Sequence, residues 1–228
     1  MIVSNKLIKV YSHPRSGTNF LCSALKDNFF QDQNLSTRGQ WGHWSNRQTF
    51  KSPVLHGKLF GNHTIIKNHP TENSMDRRIY IYRDGRDVAV SLWKTKLFLN
   101  LSMGKLSFAD FLRTNLDWIY TPASKSLPGQ NIVQHWYSHV SVCASSSDKS
   151  YEIITFEDLL LNTQKTLDQI AEKFDLTYNG DFENSPALVG PSPNTGIVGK
   201  WKEYFTEKDL EYFYRFVPRN SPYIFKGN

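Results

Sequence analysis

The segment Ser12-His13-Pro14-Arg15-Ser16-Gly17-Thr18-Asn19-Phe20 lies between an apolar run over residues 6–12 and a stretch of helical periodicity over residues 20–29. The run predicts a strand and the periodic stretch predicts a helix. The glycine lets the backbone approach a ligand closely, and the N–H groups at a helix start favour an anion. The arginine adds a fork of donors, and the hydroxyl and amide side chains add more. The segment predicts a phosphate-binding loop, with an ordinary serine-capped helix start as the alternative.

A second segment has the same strand, turn and helix order. Arg83 ends a predicted strand over residues 78–82, and a predicted helix opens at Asp87. Ser91 follows Arg83 by eight residues, so both side chains can reach one anion if the helix folds back on its strand. A structural ion pair between Arg83 and Asp87 is the alternative for this turn taken alone. Two anion-binding turns in one chain predict a ligand that carries phosphate groups at two ends.

The rest of the chain also alternates between strand and helix patterns. Strands are predicted at 63–67 and 151–155, helices at 106–118, 130–144, 157–174 and 206–216, an irregular insertion at 31–60 and a loop at 177–200. The alternation predicts an α/β fold, a single domain over residues 1–228 in which helices flank a parallel β-sheet. Ligands of such sheets lie at the carboxyl ends of the strands, where both segments above are placed.

Composition excludes several classes of protein. The chain has 228 residues, 39% of them hydrophobic, with a net charge of +6. These figures exclude a disordered chain, and no apolar run is long enough for a membrane span. Cys22 and Cys143 are too few for a disulfide framework and are predicted to be core thiols. Because the first residues lack a signal-peptide core, a cytoplasmic location is expected.

The two anion-binding segments together resemble the signatures of sulfotransferases that use 3′-phosphoadenosine 5′-phosphosulfate (PAPS). The first is similar to the family's 5′-phosphosulfate loop, Y-P-K-S-G-T-T-W, and the second to its 3′-phosphate motif, R-N-P-K-D-V-A-V-S. Residues 196–206 (GIVGKWKEYFT) are similar to the C-terminal motif G-x-x-G-x-W-K-x-x-F-T. Residues 65–70 (IIKNHP) are similar to the segment K-T-H-L-P. The four motifs occur in the family's order.

The resemblance implies a P-loop NTPase-like architecture and an enzyme that needs no metal. The reaction it implies is in-line transfer of a sulfuryl group from PAPS to the hydroxyl or amine of a small-molecule or carbohydrate acceptor. The product from the donor is adenosine 3′,5′-bisphosphate (PAP). Nucleic acid is not expected as a partner, and both the acceptor and the oligomeric state stay open.

The resemblance also implies a role for each matching residue. Arg15 would hold the 5′-phosphosulfate and stabilise the leaving oxygen, and Lys67 would assist the sulfuryl oxygens. The 5′-phosphate would be held by the N–H groups of Ser16, Gly17, Thr18 and Asn19, and the 3′-phosphate by Arg83 and Ser91. Phe20 would stack on adenine, and the cofactor would also be bound by Gly196, Gly199 and Lys200. His69 is the candidate general base. His13, His56, a carboxylate or no base at all are the alternatives.

Three positions depart from the family pattern. Arg15 replaces the lysine of the loop, and Phe20 replaces a tryptophan while keeping an aromatic face. Asn194-Thr195 stands where the family has Arg-Lys before the first glycine of the C-terminal motif. The 3′-phosphate site therefore lacks two cations that the pattern supplies elsewhere.

Two other functions fit parts of the sequence. A P-loop kinase predicts Mg²⁺ and an acidic ligand after a later strand, and Glu157-Asp158 follow the strand predicted at 151–155. A nucleic-acid-binding module fits the positive charge, but the basic residues are spread without dense runs. The cations of the motifs would instead converge on one small ligand: Arg15, Lys67, Arg83, Arg86, Lys200 and Lys202. The charge therefore predicts a cofactor cleft.

Overall fold

The structure, a computed structural model, describes residues 8–30, 42–43, 54–58, 77–96, 102–116, 130–145, 151–184 and 196–226. Its strands are β1 (Ile8–Ser12), β2 (Gly42–His43), β3 (Val54–Lys58), β4 (Arg77–Tyr82) and β5 (Tyr151–Thr155). Its helices are α1 (Thr18–Phe29), α2 (Gly85–Thr95), α3 (Phe108–Arg113), α4 (Ile132–Ala144), α5 (Phe156–Leu161), α6 (Thr163–Phe174) and α7 (Glu207–Phe213). Short 3₁₀ helices span Met103–Lys105 and Lys200–Glu203.

The strands form one parallel sheet in the order β2-β3-β1-β4-β5. The central strand, β1, is buried along its whole length, as expected for a parallel sheet covered on both faces. Ser12 at the end of β1 pairs with Ile81 of β4, so the turns after these two neighbouring strands leave the same edge of the sheet. The predicted α/β fold is confirmed, and the two anion-binding segments are adjacent in space.

Several element predictions need correction. Residues 54–58 were expected to be irregular, and they form β3, which pairs with β1 and β2. The expectation failed because the strand VLHGK is short and has no clear alternation of apolar and polar residues. The single helix predicted over residues 157–174 is two helices that meet at Asn162, which has a non-helical backbone (φ −137°, ψ 51°). The strand predicted at 63–67 lies outside the described residues.

Other element predictions are confirmed. β5 has the predicted bounds, and α4 begins two residues inside its predicted range. Thr206 is the N-cap of α7, and a reciprocal capping box with Asp209 explains why the helix begins there. The helix predicted over residues 106–118 is limited to α3.

Alternation along the central strands divides the core between the two faces of the sheet. Ile8 and Val10 of β1 pack with apolar residues of α1, α5 and α6. Tyr11 lies on the opposite face in a cluster that includes Cys143 of α4. Cys22 and Cys143 are both buried free thiols, which confirms the prediction of core cysteines. No helix among the described residues is long and apolar enough to cross a membrane.

Trp136 of α4 is fully buried and packs against the first residue of α2. A Cβ atom at Gly85 would lie 2.4 Å from Cδ2 of this indole, much closer than ordinary contact. The indole Nε1 donates a hydrogen bond of 3.0 Å to the carbonyl oxygen of Arg83. Gly85 is therefore needed because helix α4 approaches the second turn so closely.

We expect Gly85→Ala to lower the free energy of unfolding by about 2 kcal/mol, since the methyl group forces the indole or the turn to move. Gly104→Ala is the matched control, because a Cβ there would meet only the flexible side chain of Lys96 at 3.5 Å. Its effect should stay within about 0.5 kcal/mol. Urea unfolding of both variants checks this. Equal destabilisation would contradict the close approach.

Candidate functional site

The predicted phosphate-binding loop has two departures from ordinary backbone geometry, at positions separated by one residue. Arg15 has a φ of +70°, unusual for a residue with a side chain, and Gly17 has a φ of +93°. The N–H of Ser16 donates to the carbonyl oxygen of His13 at 3.3 Å, which closes the turn. Gly17 is also the N-cap of α1, and no side chain caps this helix. The N-terminal amide groups of α1 therefore face the loop without a side-chain acceptor.

Gly17 is required for packing as well as for its backbone conformation. A Cβ atom there would lie 2.3 Å from Cδ2 of Phe156, the first residue of α5. The other guanidinium of the site, that of Arg83, lies over the same Phe156 ring at 4.5 Å from its centroid. The Phe156 ring therefore contacts both turns: it packs against Gly17 in the first and lies under the Arg83 guanidinium in the second.

Two arginine side chains, a buried Arg83 and a partly buried Arg15, converge at the edge of the sheet. Nε of Arg15 donates to Oγ of Ser91 at 3.0 Å. Burial and then the charge of Arg83 lower the pKa of Arg15 to about 10, so Arg15 stays charged at neutral pH. Among the described residues, Nη2 of Arg15, Nε of Arg83 and Oγ of Ser16 are buried without a hydrogen-bond partner. Unpaired buried donors beside like charges are costly, and an anion bound there would satisfy them.

Arg83 also makes contacts within the protein. Its Nη2 donates to the carbonyl oxygen of Ile197 at 2.9 Å and lies 3.5 Å from Oδ2 of Asp87. The structural ion pair that the sequence left open is therefore present. Because Nε of Arg83 still lacks a partner, the pair and anion binding are compatible.

Asp87 joins the C-terminal motif to the second turn. Its Oδ2 accepts the N–H of Gly199 at 2.8 Å, and its Oδ1 accepts the N–H of Trp201 at 2.9 Å. Burial raises the pKa of Asp87, while Arg83 and the two amide donors oppose that shift. The sequence placed Asp87 at a helix start and offered an ion pair with Arg83 as an alternative. Its contacts with the C-terminal motif were not predicted, because no local pattern links residues that are 112 and 114 positions apart.

The C-terminal residues expected at the site divide into two groups. Gly196 and Gly199 have positive φ angles of +61° and +77°, and the hydrogen bond from Arg83 to the Ile197 carbonyl oxygen places the segment beside Arg83. Lys200 has its Nζ 3.8 Å from a carboxylate oxygen of Glu203. The glycines are therefore brought to the second turn, whereas the Lys200 amine lies near its own 3₁₀ helix.

Arg86 was expected to point at the ligand, and that expectation is wrong. Its guanidinium makes a bidentate pair with Asp84, with N···O distances of 3.0 and 2.6 Å. It also stacks on Trp201 at 4.0 Å and donates to the carbonyl oxygen of Phe225 at 3.1 Å. Asp84 accepts the N–H of Phe225 in turn at 3.0 Å. Arg86 therefore binds the C-terminal segment to the turn.

His13 was an alternative for the general base, and the structure excludes it from that role. Its side chain is fully buried, with Nδ1 2.9 Å from the carbonyl oxygen of Pro14 and Nε2 2.8 Å from Nδ1 of His135. Burial, followed by the charges of His135 and His139, holds its pKa well below the usual value. Both ring nitrogens are occupied, so His13 cannot take a proton from an acceptor. His56 lies on β3, and Lys67 and His69 lie outside the described residues.

The acidic residues after β5 are used within the protein. Oε1 of Glu157 accepts the N–H of Asp84 at 3.0 Å, and burial raises the pKa of Glu157 to about 7. Asp158 accepts from Oγ1 of Thr155 at 2.6 Å, in the N-cap of α5. These contacts do not favour the kinase alternative, which needs a carboxylate aimed at a magnesium ion. Within the described ranges, no group of three His, Cys, Asp or Glu side chains is arranged to hold a metal ion.

Known proteins match most of this chain. The family model for the sulfotransferase domain matches residues 7–185. The 3-beta-hydroxysteroid sulfotransferase of Cavia porcellus is 22% identical over 237 residues, covering 89% of this chain and 79% of that protein. Sulfotransferase 2A1 of Rattus norvegicus is 22% identical over 249 residues, covering 93% of this chain and 83% of its own length.

The fold is similar to that of solved sulfotransferase structures. Mouse sulfotransferase SULT7A1 complexed with PAP superposes with a TM-score of 0.66 at 19% identity, covering 96% of this chain and 85% of that one. Retinol dehydratase in complex with androsterone and PAP gives a TM-score of 0.56 at 14% identity, covering 93% and 79% of the two chains. The family match ends at residue 185, so the similarity of residues 196–206 rests on the motif and on the Asp87 contacts.

His139, beside His13, gives a testable pH dependence. His139 is fully buried and shares a hydrogen bond of 2.9 Å with the Tyr80 hydroxyl. Burial lowers the pKa of His139 to about 3. Below pH 6.5 the unfolded chain binds a proton at His139 that the folded chain does not bind. This residue therefore makes stability fall as the pH falls from 6.5 towards 3.

We expect His139→Asn, which keeps a polar group near Tyr80 but cannot titrate, to reduce this loss. Between pH 8 and pH 5 the original chain should lose about 2 kcal/mol more unfolding free energy than the variant. Urea unfolding at the two pH values measures the difference. Parallel losses in the two proteins would show that His139 is not held neutral.

Proposed function

The chain belongs to the sulfotransferase domain family of enzymes, and we propose that it transfers a sulfuryl group from PAPS to the hydroxyl or amine of an acceptor. In this step the bond between sulfur and the acceptor atom forms, and the bond between sulfur and the bridging phosphate oxygen breaks. PAP leaves, and the acceptor proton passes to a base. The observation that carries the proposal is that the guanidinium groups of Arg15 and Arg83, at neighbouring strand ends, each have a buried N–H group without a hydrogen-bond partner.

The loop after β1 supports binding of the 5′-phosphosulfate. The N–H groups of Gly17, Thr18 and Asn19 lie at the start of α1, where no side chain caps the helix, and Ser16 adds a buried hydroxyl without a partner. The N–H of Ser16 is already used to close the turn on the His13 carbonyl oxygen. Arg15 has a pKa near 10, so it stays protonated and would stabilise charge on the leaving oxygen without giving up a proton. Phe20, 6.0 Å from Phe156 in an edge-to-face arrangement, would stack on the adenine.

The second turn supports binding of the 3′-phosphate. Arg83 has an unpaired Nε, and Ser91 lies within hydrogen-bond distance of Arg15. Gly196 and Gly199 are held beside Arg83 through the backbone contacts of Asp87 and Ile197. A PAP-bound relative, mouse SULT7A1, supports the same nucleotide for this chain. The positive charge would therefore serve a cofactor with phosphate groups at both ends.

Lys67 and His69 complete the proposed chemistry on the acceptor side. Lys67 would stabilise the sulfuryl oxygens, and His69 would take the acceptor proton. The acceptor is a small molecule or carbohydrate; relatives named for steroid sulfation favour a small molecule. A cytoplasmic location stays a prediction of the sequence.

Arg83→Gln should weaken binding of PAP by about 10- to 100-fold, because a charge-assisted hydrogen bond to the 3′-phosphate is lost. Adenosine 5′-monophosphate, which lacks that phosphate, should bind both proteins alike. Calorimetric titration measures the two affinities, and the exposed Arg219→Gln is the control for loss of one positive charge. Equal weakening by Arg83→Gln and Arg219→Gln would point to a general charge effect and overturn the assignment.

His69→Ala should lower kcat by about 10²- to 10⁴-fold, since the acceptor proton loses its general base. The affinity for PAP should stay unchanged. A radiolabelled-PAPS transfer screen over acceptor classes finds the substrate, with Arg15→Ala as the inactive reference. Turnover within a few-fold of the original enzyme would remove His69 from the mechanism.

A further inference from the structure

We propose that helix α4 sets the spacing between the two anion-binding turns, with His135 and Trp136 as the positioning residues. The inference rests on the proposed function, because the spacing matters for a ligand that is held at both ends. Each of these consecutive helix residues makes a buried hydrogen bond to a different turn.

His135 holds the first turn through His13. The Pro14 carbonyl oxygen can only accept, so His13 Nδ1 must carry a hydrogen and donate to it over 2.9 Å. Because His13 is neutral when buried, its Nε2 is an acceptor, and His135 Nδ1 must donate to it over 2.8 Å. This chain of bonds fixes the peptide just before Arg15, whose φ of +70° needs support from its surroundings.

Trp136 holds the second turn directly. Its Nε1 donates to the carbonyl oxygen of Arg83 at 3.0 Å, and its ring packs against the backbone at Gly85. The bond fixes the peptide that follows the Arg83 side chain. The position of the guanidinium at the carboxyl end of β4 therefore depends on the position of α4.

Helix α4 is capped and anchored at its start, just before these two residues. Asn131 and Gln134 form a reciprocal capping box at its start, and Nδ2 of Asn131 donates to the hydroxyl of Tyr212 at 2.9 Å. Neighbouring Cα atoms in a helix are 3.8 Å apart, and their side chains point about 100° apart. Two adjacent side chains can therefore hold two separate turns at a constant distance. The 5′- and 3′-phosphates of PAP are joined through one ribose, so the distance between them can vary only over a narrow range.

Binding of two probes separates the two links. Trp136→Phe, which removes the indole N–H together with part of the ring, should weaken PAP by about tenfold and leave adenosine 5′-monophosphate within about twofold. His135→Leu should weaken both probes by about tenfold, because it releases the 5′ loop. His135→Asn has the shape of the leucine variant and restores a donor at the position of Nδ1, so both affinities should recover. Calorimetric titration of the full chain measures each affinity.

Tyr80→Phe is the control for damage to the buried cluster. It removes the hydroxyl that bonds His139 at 2.9 Å but touches neither turn, so it should lower the melting temperature without changing either affinity. If affinities follow melting temperature across all four variants, or if His135→Asn binds no better than His135→Leu, the positioning role is wrong. Should His135→Leu not fold, Trp136→Phe decides alone, and unchanged discrimination between the two probes overturns the proposal. Failure of the unsubstituted chain to bind PAP would instead reject the proposed function.

Discussion

The arrangement of this site depends on two like charges, one buried and one partly buried, that lie close enough to affect each other. Arg15 and Arg83 lie at the ends of adjacent parallel strands, and the charge of Arg83 contributes to the lowered pKa of Arg15. Repulsion and lost hydration would push two such groups apart or into solvent. The fold keeps them in place with the Phe156 ring under Arg83, the Ser91 hydroxyl on Arg15, and one carboxylate. Both arginines keep a buried N–H group without a hydrogen-bond partner. An anion that binds there would accept these hydrogen bonds and balance the positive charge.

Asp87 neutralises the charge of Arg83 only in part. A carboxylate in direct contact with Arg83 would compete with a phosphate for the guanidinium. Its closest contact with Arg83 is 3.5 Å, whereas the N–H groups of Gly199 and Trp201 lie 2.8 and 2.9 Å from its oxygens. Most of its hydrogen-bonding capacity therefore serves to hold the C-terminal segment. Arg83 is balanced enough to be buried and still has Nε available for a ligand.

The sequence predicted the parts of the site that follow a short local pattern. The two strand–turn–helix segments, with Arg15, Arg83 and Ser91, could be located because glycine, arginine and hydroxyl residues occur at fixed spacing there. Residues that act across the fold carried no such pattern. From sequence, Trp136 is interpreted as a core aromatic and Arg86 as another ligand cation, because the partners in question lie 53 and 139 residues away. β3 was missed for a related reason: its five residues pair with β1, and two of them also pair with β2, so they gain stability from neighbours that the local sequence does not reveal.

Neutral histidines are as important to the loop as charged arginines. If His13 carried a second ring proton, its Nε2 would become a donor. It would then face the Nδ1–H group of His135, which is also a donor. A third positive charge would also lie beneath Arg15. Burial removes both problems, since it holds the pKa of His13 well below the usual value and leaves one acceptor for His135. Loss of hydration makes the charged arginines costly to bury. The same loss keeps the neighbouring imidazoles neutral, so each ring nitrogen in the His13–His135 bond has one fixed role, as donor or as acceptor. The loop therefore has one anchored conformation before any ligand arrives.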